Sequence, residues 1–213
     1  MKTTPDPLCA ILDADAAARA GWPILDLAAA YLRGGARFLQ LRAKSMSGDQ
    51  FLATAAAVVQ LVHRHHARVV INDRADIARL ADADGVHVGQ EDLGPAAVRA
   101  LIGDAAIVGL STHTTGQVDR AVREPVSYVA VGPVFVTATK ATGFQQVGLE
   151  MVREAARRAT AHGLPLIAIG GITLENAVSV VESGAASVAV ISDLLATGDP
   201  EARVRAYVER LWR

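Results

Sequence analysis

Two cations and an amide occupy alternate positions in Gln40-Leu41-Arg42-Ala43-Lys44. If that stretch ends a β-strand, Gln40, Arg42 and Lys44 share one face. Such a face suits an oxyanion like a diphosphate, with the planar guanidinium offering a fork of donors. Taken alone, the same pattern is an ordinary surface Arg/Lys pair. Asn72-Asp73 and Asp92 add two carboxylates. A carboxylate pair suits a Mg²⁺ ion whose other ligands are phosphate oxygens and water, although a turn aspartate and a helix-capping aspartate have the same signature. Gly170-Gly171 and Ser192 have the makings of a monophosphate site, because glycine lets backbone N–H groups come close and a helix N-terminus adds its dipole. A tight turn with positive φ asks for the same glycines. Val136 to Val147 has no clear period and carries Thr137, Thr139, Lys140 and Gly143. It reads as a loop with donors for a second anion and freedom to close over a ligand.

These residues matter only if the chain brings them together, and its pattern says how. Short apolar runs alternate with longer amphipathic ones. The pattern predicts strands at Leu8 to Leu12, Phe38 to Leu41, Arg68 to Ile71, Gly85 to Val88, Ala106 to Leu110, Tyr128 to Val131, Leu166 to Ile169 and Ser187 to Ile191. Helices are predicted at Pro23 to Arg33, Asp49 to His66, Ala75 to Ala81, Pro95 to Leu101, Thr115 to Arg123, Leu149 to His162, Leu174 to Glu182 and Pro200 to Leu211. The strands are apolar throughout rather than alternating, as parallel strands buried on both faces must be. Eight strand-helix units in order point to an α/β fold, a (β/α)8 TIM barrel, as a single domain over residues 1–213. An open doubly wound sheet would want a glycine fingerprint in its first turn, and Asp13-Ala14-Asp15 has none.

In such a barrel the chemistry sits where strands end and helices begin. Strands two to eight each lead into polar residues or glycines there: Gln40 to Lys44, Asn72 to Arg74, His87 to Asp92, Ser111 to His113, Gly132 to Lys140, Gly170 to Ile172 and Ser192. Loop solvation explains any one of these. It does not explain all of them falling on one rim.

The bulk properties narrow the classes. The 213 residues are 51% hydrophobic but only 4% aromatic, and the net charge is -1. A nearly neutral chain offers no polyanion-binding face, so nucleic acid is not an expected partner. No window reaches the roughly 18 apolar residues of a membrane span, and the N-terminal stretch resembles no signal peptide. The single cysteine, Cys9, has no internal partner for a disulfide, which fits a reducing compartment. A cytoplasmic protein is the expectation, and a homo-oligomer stays open. Cys9 reads as a core residue. His63, His65 and His66 fall at a helix C-terminus on the far rim, where a solvated capping role is expected. His87 and His113 lie near the productive rim, with contact to ligand and a structural role both open.

Gln-Leu-Arg-x-Lys at 40–44, Ile-Asn-Asp-Arg at 71–74, Gly-Val-His-Val-Gly-Gln-Glu-Asp at 85–92, Gly-x-Ser-Thr-His at 109–113, Gly-Pro-Val-Phe-x-Thr-x-Thr-Lys at 132–140, Ala-Ile-Gly-Gly-Ile at 168–172 and Val-Ala-Val-Ile-Ser at 188–192 together resemble the thiamine phosphate synthase family. The resemblance runs in order through nearly the whole chain. It implies a transferase that joins a hydroxymethylpyrimidine diphosphate to a thiazole phosphate and releases pyrophosphate, by a dissociative route through a pyrimidine carbocation. It implies that Gln40, Arg42, Lys44, Asn72, Ser111 and Lys140 hold the pyrimidine diphosphate, that Asp73 and Asp92 bind Mg²⁺, and that Thr137, Thr139, Gly171, Ile191 and Ser192 hold the thiazole phosphate. Arg42, Lys44 and Lys140 would stabilise the leaving diphosphate. The familiar Pro-Thr-Pro-Thr-Lys loop reads Val136-Thr137-Ala138-Thr139-Lys140 here. A related thiazole tautomerase shares the barrel but lacks the metal carboxylates and has a histidine where this chain has Pro133. A non-catalytic carrier of thiamine precursors would show losses at the diphosphate or metal positions.

Overall fold

The computed structural model describes residues 6–136 and 145–212. Thr137, Thr139 and Lys140 lie outside the described residues, as does the loop segment 137–144 that contains them. Eight parallel strands close on themselves in sequence order, with the last pairing to the first. They are β1 (Leu8–Asp13), β2 (Phe38–Arg42), β3 (Arg68–Asn72), β4 (Gly85–Val88), β5 (Ile107–Thr112), β6 (Tyr128–Val131), β7 (Leu166–Ile169) and β8 (Ser187–Val190). Around them run α1 (Ala14–Arg19), α2 (Ile24–Arg33), α3 (Gly48–Arg64), α4 (Ala75–Leu80), α5 (Pro95–Ile102), α6 (Thr115–Ala121), α7 (Gly148–Ala161), α8 (Ala177–Glu182) and α9 (Pro200–Leu211). The expected barrel is the observed one.

Strand parity divides the hydrophobic core in two. Successive strand side chains face opposite ways. Leu8, Ala10 and Leu12 on β1, Leu39 and Leu41 on β2, and Val69 and Ile71 on β3 pack outward against the helices. Their alternates, including Cys9, Ile11, Phe38, Val70, Tyr128, Ala130, Ile167 and Ala189, fill the barrel interior. This is why the strands carry no polar alternation. Cys9 is a core residue as expected, 1% exposed, and burial pushes its thiol up to about 12.

Several elements differ from the sequence pattern. A short helix, α1, follows β1 directly. The Asp13 carboxylate caps it, accepting from the Ala16 N–H at 2.8 Å. Its six residues, Ala-Asp-Ala-Ala-Ala-Arg, have too little apolar periodicity to announce a helix. The helix expected from Leu174 starts instead at Ala177, and the Thr173 and Leu174 N–H groups before it are taken by the Asn176 and Asp193 side chains. Ser192–Leu195 forms a 3-10 turn after β8. His63, expected to cap α3, instead has its Nε2 3.1 Å from Asp84 Oδ2, which also accepts from the Val69 N–H.

The first and last units meet where α2 crosses α9. Gly34 ends α2, and a Cβ there would stand 2.6 Å from the Glu201 carbonyl oxygen and 2.8 Å from Val204 Cβ. Arg33 Nε donates to Glu201 Oε2 at 2.7 Å across the same seam. Because the obstruction is backbone, α9 has to shift to admit a methyl group. Gly34→Ala is expected to cost about 1–3 kcal/mol by overpacking. Urea unfolding should show a lower midpoint with an unchanged slope.

Candidate functional site

At the C-terminal rim the inward positions turn polar on one side of the barrel. Gln40 on β2, Asn72 on β3 and His87 on β4 are each no more than 7% exposed. Register pairs Asn72 with His87, His87 with Gly109, and Gly109 with Tyr128, so these four form one row across β3 to β6. Ser111 is the next inward position along β5. On the other side, Ile169 and Ile191 pack against the apolar interior cluster.

Arg42 and Lys44 do not stand as free cations. Register places Arg42 opposite Asp13 on β1, and its Nη1 donates to the Asp13 carboxylate, which is 3% exposed. The Arg42 side chain is 12% exposed, and its Nε is buried without a hydrogen-bond partner. Asp13 thus holds one edge of the guanidinium and leaves a donor unmatched. Lys44 reaches over the rim, with Nζ 3.0 Å from Asp73 Oδ2.

Asp73 and Asp92 come together as the sequence suggested. Asp73 has φ +65°, a left-handed conformation that aspartate tolerates better than most residues. Its N–H donates to the His87 carbonyl at 2.8 Å. Asp92 does not cap α5, whose N-cap is Gly94. Instead Asp92 Oδ2 accepts from the Gly89 N–H at 2.8 Å, within its own turn. Partial burial raises the Asp92 carboxyl above its ordinary value, the Gly89 N–H opposes the rise, and the adjacent Asp73 charge adds to it. Lys44 offsets only part of that repulsion. Two close carboxylates with one exposed lysine leave room for a further positive charge. Mg²⁺, which takes one or two carboxylates and completes its shell with phosphate oxygens and water, fits this donor set. Among the described residues there is no cluster of three or more His, Cys, Asp or Glu side chains grouped to hold a metal.

Around the barrel, Ser111, Gly171, Ile191 and Ser192 line a single cavity with Pro133 and His113. Gly170 and Gly171 have φ +102° and +64°. A Cβ on Gly171 would lie 2.5 Å from the Val136 carbonyl oxygen, and one on Gly170 would lie 2.6 Å from Pro133 Cα. The pair is glycine because the chain leaving β6 lies directly against it, as well as for its turn. Asp193 ties this half down: its carboxylate accepts from the Leu174 N–H, from Arg203 and from the Tyr207 hydroxyl at 2.6 Å. His113 Nδ1 lies 2.6 Å from the Gly132 carbonyl oxygen, which gives that histidine a partner at the start of the loop.

The sequence did not single out Asp13, Asp193 or Tyr128. Asp13 carries a weak signal, an aspartate at the C-terminal end of a strand. The other two carry none.

A model of the thiamine monophosphate synthase family matches residues 8–194. The thiamine-phosphate synthase of Chlorobium luteolum is 42% identical over 201 residues, covering 94% of this chain and 91% of that protein. The thiamine-phosphate synthase of Roseiflexus castenholzii is 42% identical over 186 residues, covering 87% and 80%. The solved thiamine phosphate pyrophosphorylase of Pyrococcus furiosus superposes with a TM-score of 0.86 at 27% identity, over 97% of this chain and 96% of that one. Among the described residues no helix is long and apolar enough to cross a membrane.

The crowded carboxylates set an expectation for the metal-free protein. Asp92→Asn removes one of two like charges yet keeps an acceptor for the Gly89 N–H. At neutral pH it should unfold at a higher temperature than the wild type. Sign follows from the raised carboxyl: the folded state prefers the neutral acid, so the wild type recovers stability as pH falls through the Asp92 range. The gap in melting temperature should therefore narrow on acidification.

Proposed function

The chain belongs to the thiamine monophosphate synthase family, and from that premise we propose that it joins 4-amino-2-methyl-5-(diphosphooxymethyl)pyrimidine to a thiazole phosphate, giving thiamine phosphate and pyrophosphate. The observation that carries this reading is the paired Asp73 and Asp92 with Lys44 beside a cavity that Ser111 shares with Gly171 and Ser192. A charged half and an uncharged half on one rim suit two different phosphorylated ligands.

Asp73 and Asp92 would hold Mg²⁺, which when bound would offset charge on the diphosphate. Gln40, Arg42, Lys44, Asn72 and Ser111 would bind the pyrimidine diphosphate, and Thr137, Thr139, Gly171, Ile191 and Ser192 the thiazole phosphate. Lys140 would join the first group from the loop after β6. The C–O bond between the pyrimidine methylene and the diphosphate breaks, and its electron pair leaves with the diphosphate. The methylene carbocation left behind accepts the lone pair of the thiazole nitrogen, and the new C–N bond forms. No proton moves, so no general base is needed. Arg42, Lys44 and Lys140 act on the leaving group, whose charge grows as the bond breaks; they stabilise the transition state more than the bound substrate. The remaining residues hold two reactants in line, which converts an encounter into an intramolecular step. Asp73, Asp92 and Pro133 all weigh against the tautomerase alternative, and intact diphosphate positions weigh against a mere carrier.

The direct test supplies both phosphorylated precursors with Mg²⁺ and follows thiamine phosphate. Product should form with Mg²⁺ and stop with excess chelator. A folded protein that makes no product would sink this assignment. Asp92→Asn should lower kcat by about 10²-fold or more, on the scale of losing one preorganised electrostatic contact. Undiminished turnover would remove Asp92 from the metal site.

A further inference from the structure

Below Ser111 the barrel interior holds a polar chain with no part in the chemistry above. The Tyr128 hydroxyl lies 2.8 Å from His87 Nδ1, and His87 Nε2 lies 2.8 Å from Ser111 Oγ. The His87 and Tyr128 rings stack at 5.6 Å with planes 20° apart. Their approach depends on Gly109, which register sets between them. A Cβ on Gly109 would fall 2.1 Å from Tyr128 Cζ and 2.6 Å from His87 Nδ1. Three strands therefore cooperate to join a phenol deep in the barrel to a hydroxyl that lines the cavity.

The chain has two possible polarities. In one, Ser111 donates to Nε2, Nδ1–H donates to Tyr128, and the phenolic proton needs another acceptor. Around Tyr128 stand Ile11, Phe38, Val70, Ala130 and Ile167, with the edge of Phe38 against its ring, and the one polar neighbour in that cluster is the Cys9 thiol, a weak acceptor. An unsatisfied O–H buried there is costly. In the other, Tyr128 donates to Nδ1, Nε2–H donates to Ser111 Oγ, and the Ser111 proton is left to point into the cavity. Every buried proton is then matched. Burial also keeps the phenol protonated, because it raises Tyr128 well above its ordinary value.

We propose that Tyr128 and His87 are positioning residues that fix the Ser111 hydroxyl as an outward donor toward the bound substrate. The polarity is set from the floor of the barrel, by a phenol that has its acceptor in His87 Nδ1. Ser111 then meets an anionic oxygen without first having to turn its proton, which is the preorganisation that makes a donor effective in a transition state. The role of Ser111 rests on the function proposed above, but the direction of the chain does not.

Nitrogen-15 NMR of histidine-labelled protein reads the direction without any substrate, with the His87 signals assigned by their loss in His87→Gln. The wild type should show His87 neutral, with Nε2 protonated and Nδ1 a bare acceptor. The opposite tautomer, or an imidazolium, overturns the proposal. Tyr128→Phe should abolish the preference for that tautomer and lower kcat about tenfold, the size of one hydrogen bond, with KM little changed. Ser111→Ala should lower kcat as well, and adding Tyr128→Phe to it should cost nothing more. Losses that multiply in the double variant would show that Tyr128 acts by another route and overturn the proposal. If the wild type formed no thiamine phosphate, the reaction assigned to the site would fall, while the wild-type tautomer would still decide the relay.

Discussion

Closing eight parallel strands on themselves leaves every strand with two buried faces, and everything at this site follows from how the inner face is filled. The outer face must match helices, so along β3, β4 and β6 it is Val69, Ile71, Val86, Val88, Val129 and Val131. The inner face has little volume to fill. Its lower layers take Cys9, Phe38, Val70, Tyr128 and Ile167. Most of its polar groups stand at the upper inward positions: Asp13, Gln40, Arg42, Asn72, His87 and Ser111, with the Tyr128 hydroxyl reaching up to His87. Their parity is shared, so a one-residue slip in any strand would send its polar group into the helix layer.

Charge at the rim is arranged by the same closure. Arg42 would be a costly cation so near the barrel interior, and Asp13 on the neighbouring strand compensates it. Asp73 and Asp92 go the other way. They are held close by a left-handed turn and by the Gly89 N–H, against their own repulsion, with only the exposed Lys44 beside them. Backbone strain and unbalanced charge in one place are what a fold tolerates at a site that awaits a ligand.

The barrel was legible because its strands are predominantly apolar on both faces and its helices are periodic, two signals that need only local sequence. The strand-end clusters were legible once the barrel was assumed, since the rim is a property of the fold. What stayed hidden depends on register. Asp13 and Arg42 are 29 residues apart, and only the pairing of β1 with β2 makes them neighbours. Asp193 reaches Leu174, Arg203 and Tyr207 across three elements. Tyr128 looks like a strand core residue and is one; its link to Ser111 exists because Gly109 has no side chain. In the sequence Gly170 and Gly171 suit the approach of a phosphate, and the structure adds a second reason for glycine, the chain after β6 lying against them.

The two halves of the rim are built from different materials, and the chemistry proposed for them explains why. A diphosphate that leaves gains charge as its bond breaks, so ionic partners on that side stabilise the transition state beyond the ground state. The β2 to β4 side accordingly holds Arg42, Lys44, Asp73 and Asp92. A thiazole phosphate keeps its charge through the reaction. Ionic partners there would tighten substrate and transition state alike and leave the chemical step unchanged. The β7 and β8 side accordingly offers glycine backbone and Ser192, made rigid by the Asp193 carboxylate and its anchors Arg203 and Tyr207 on α9. Rigidity is what that side would contribute to the proposed reaction, because a nucleophile with a lone pair and no proton to lose would need only to be held where the cation forms.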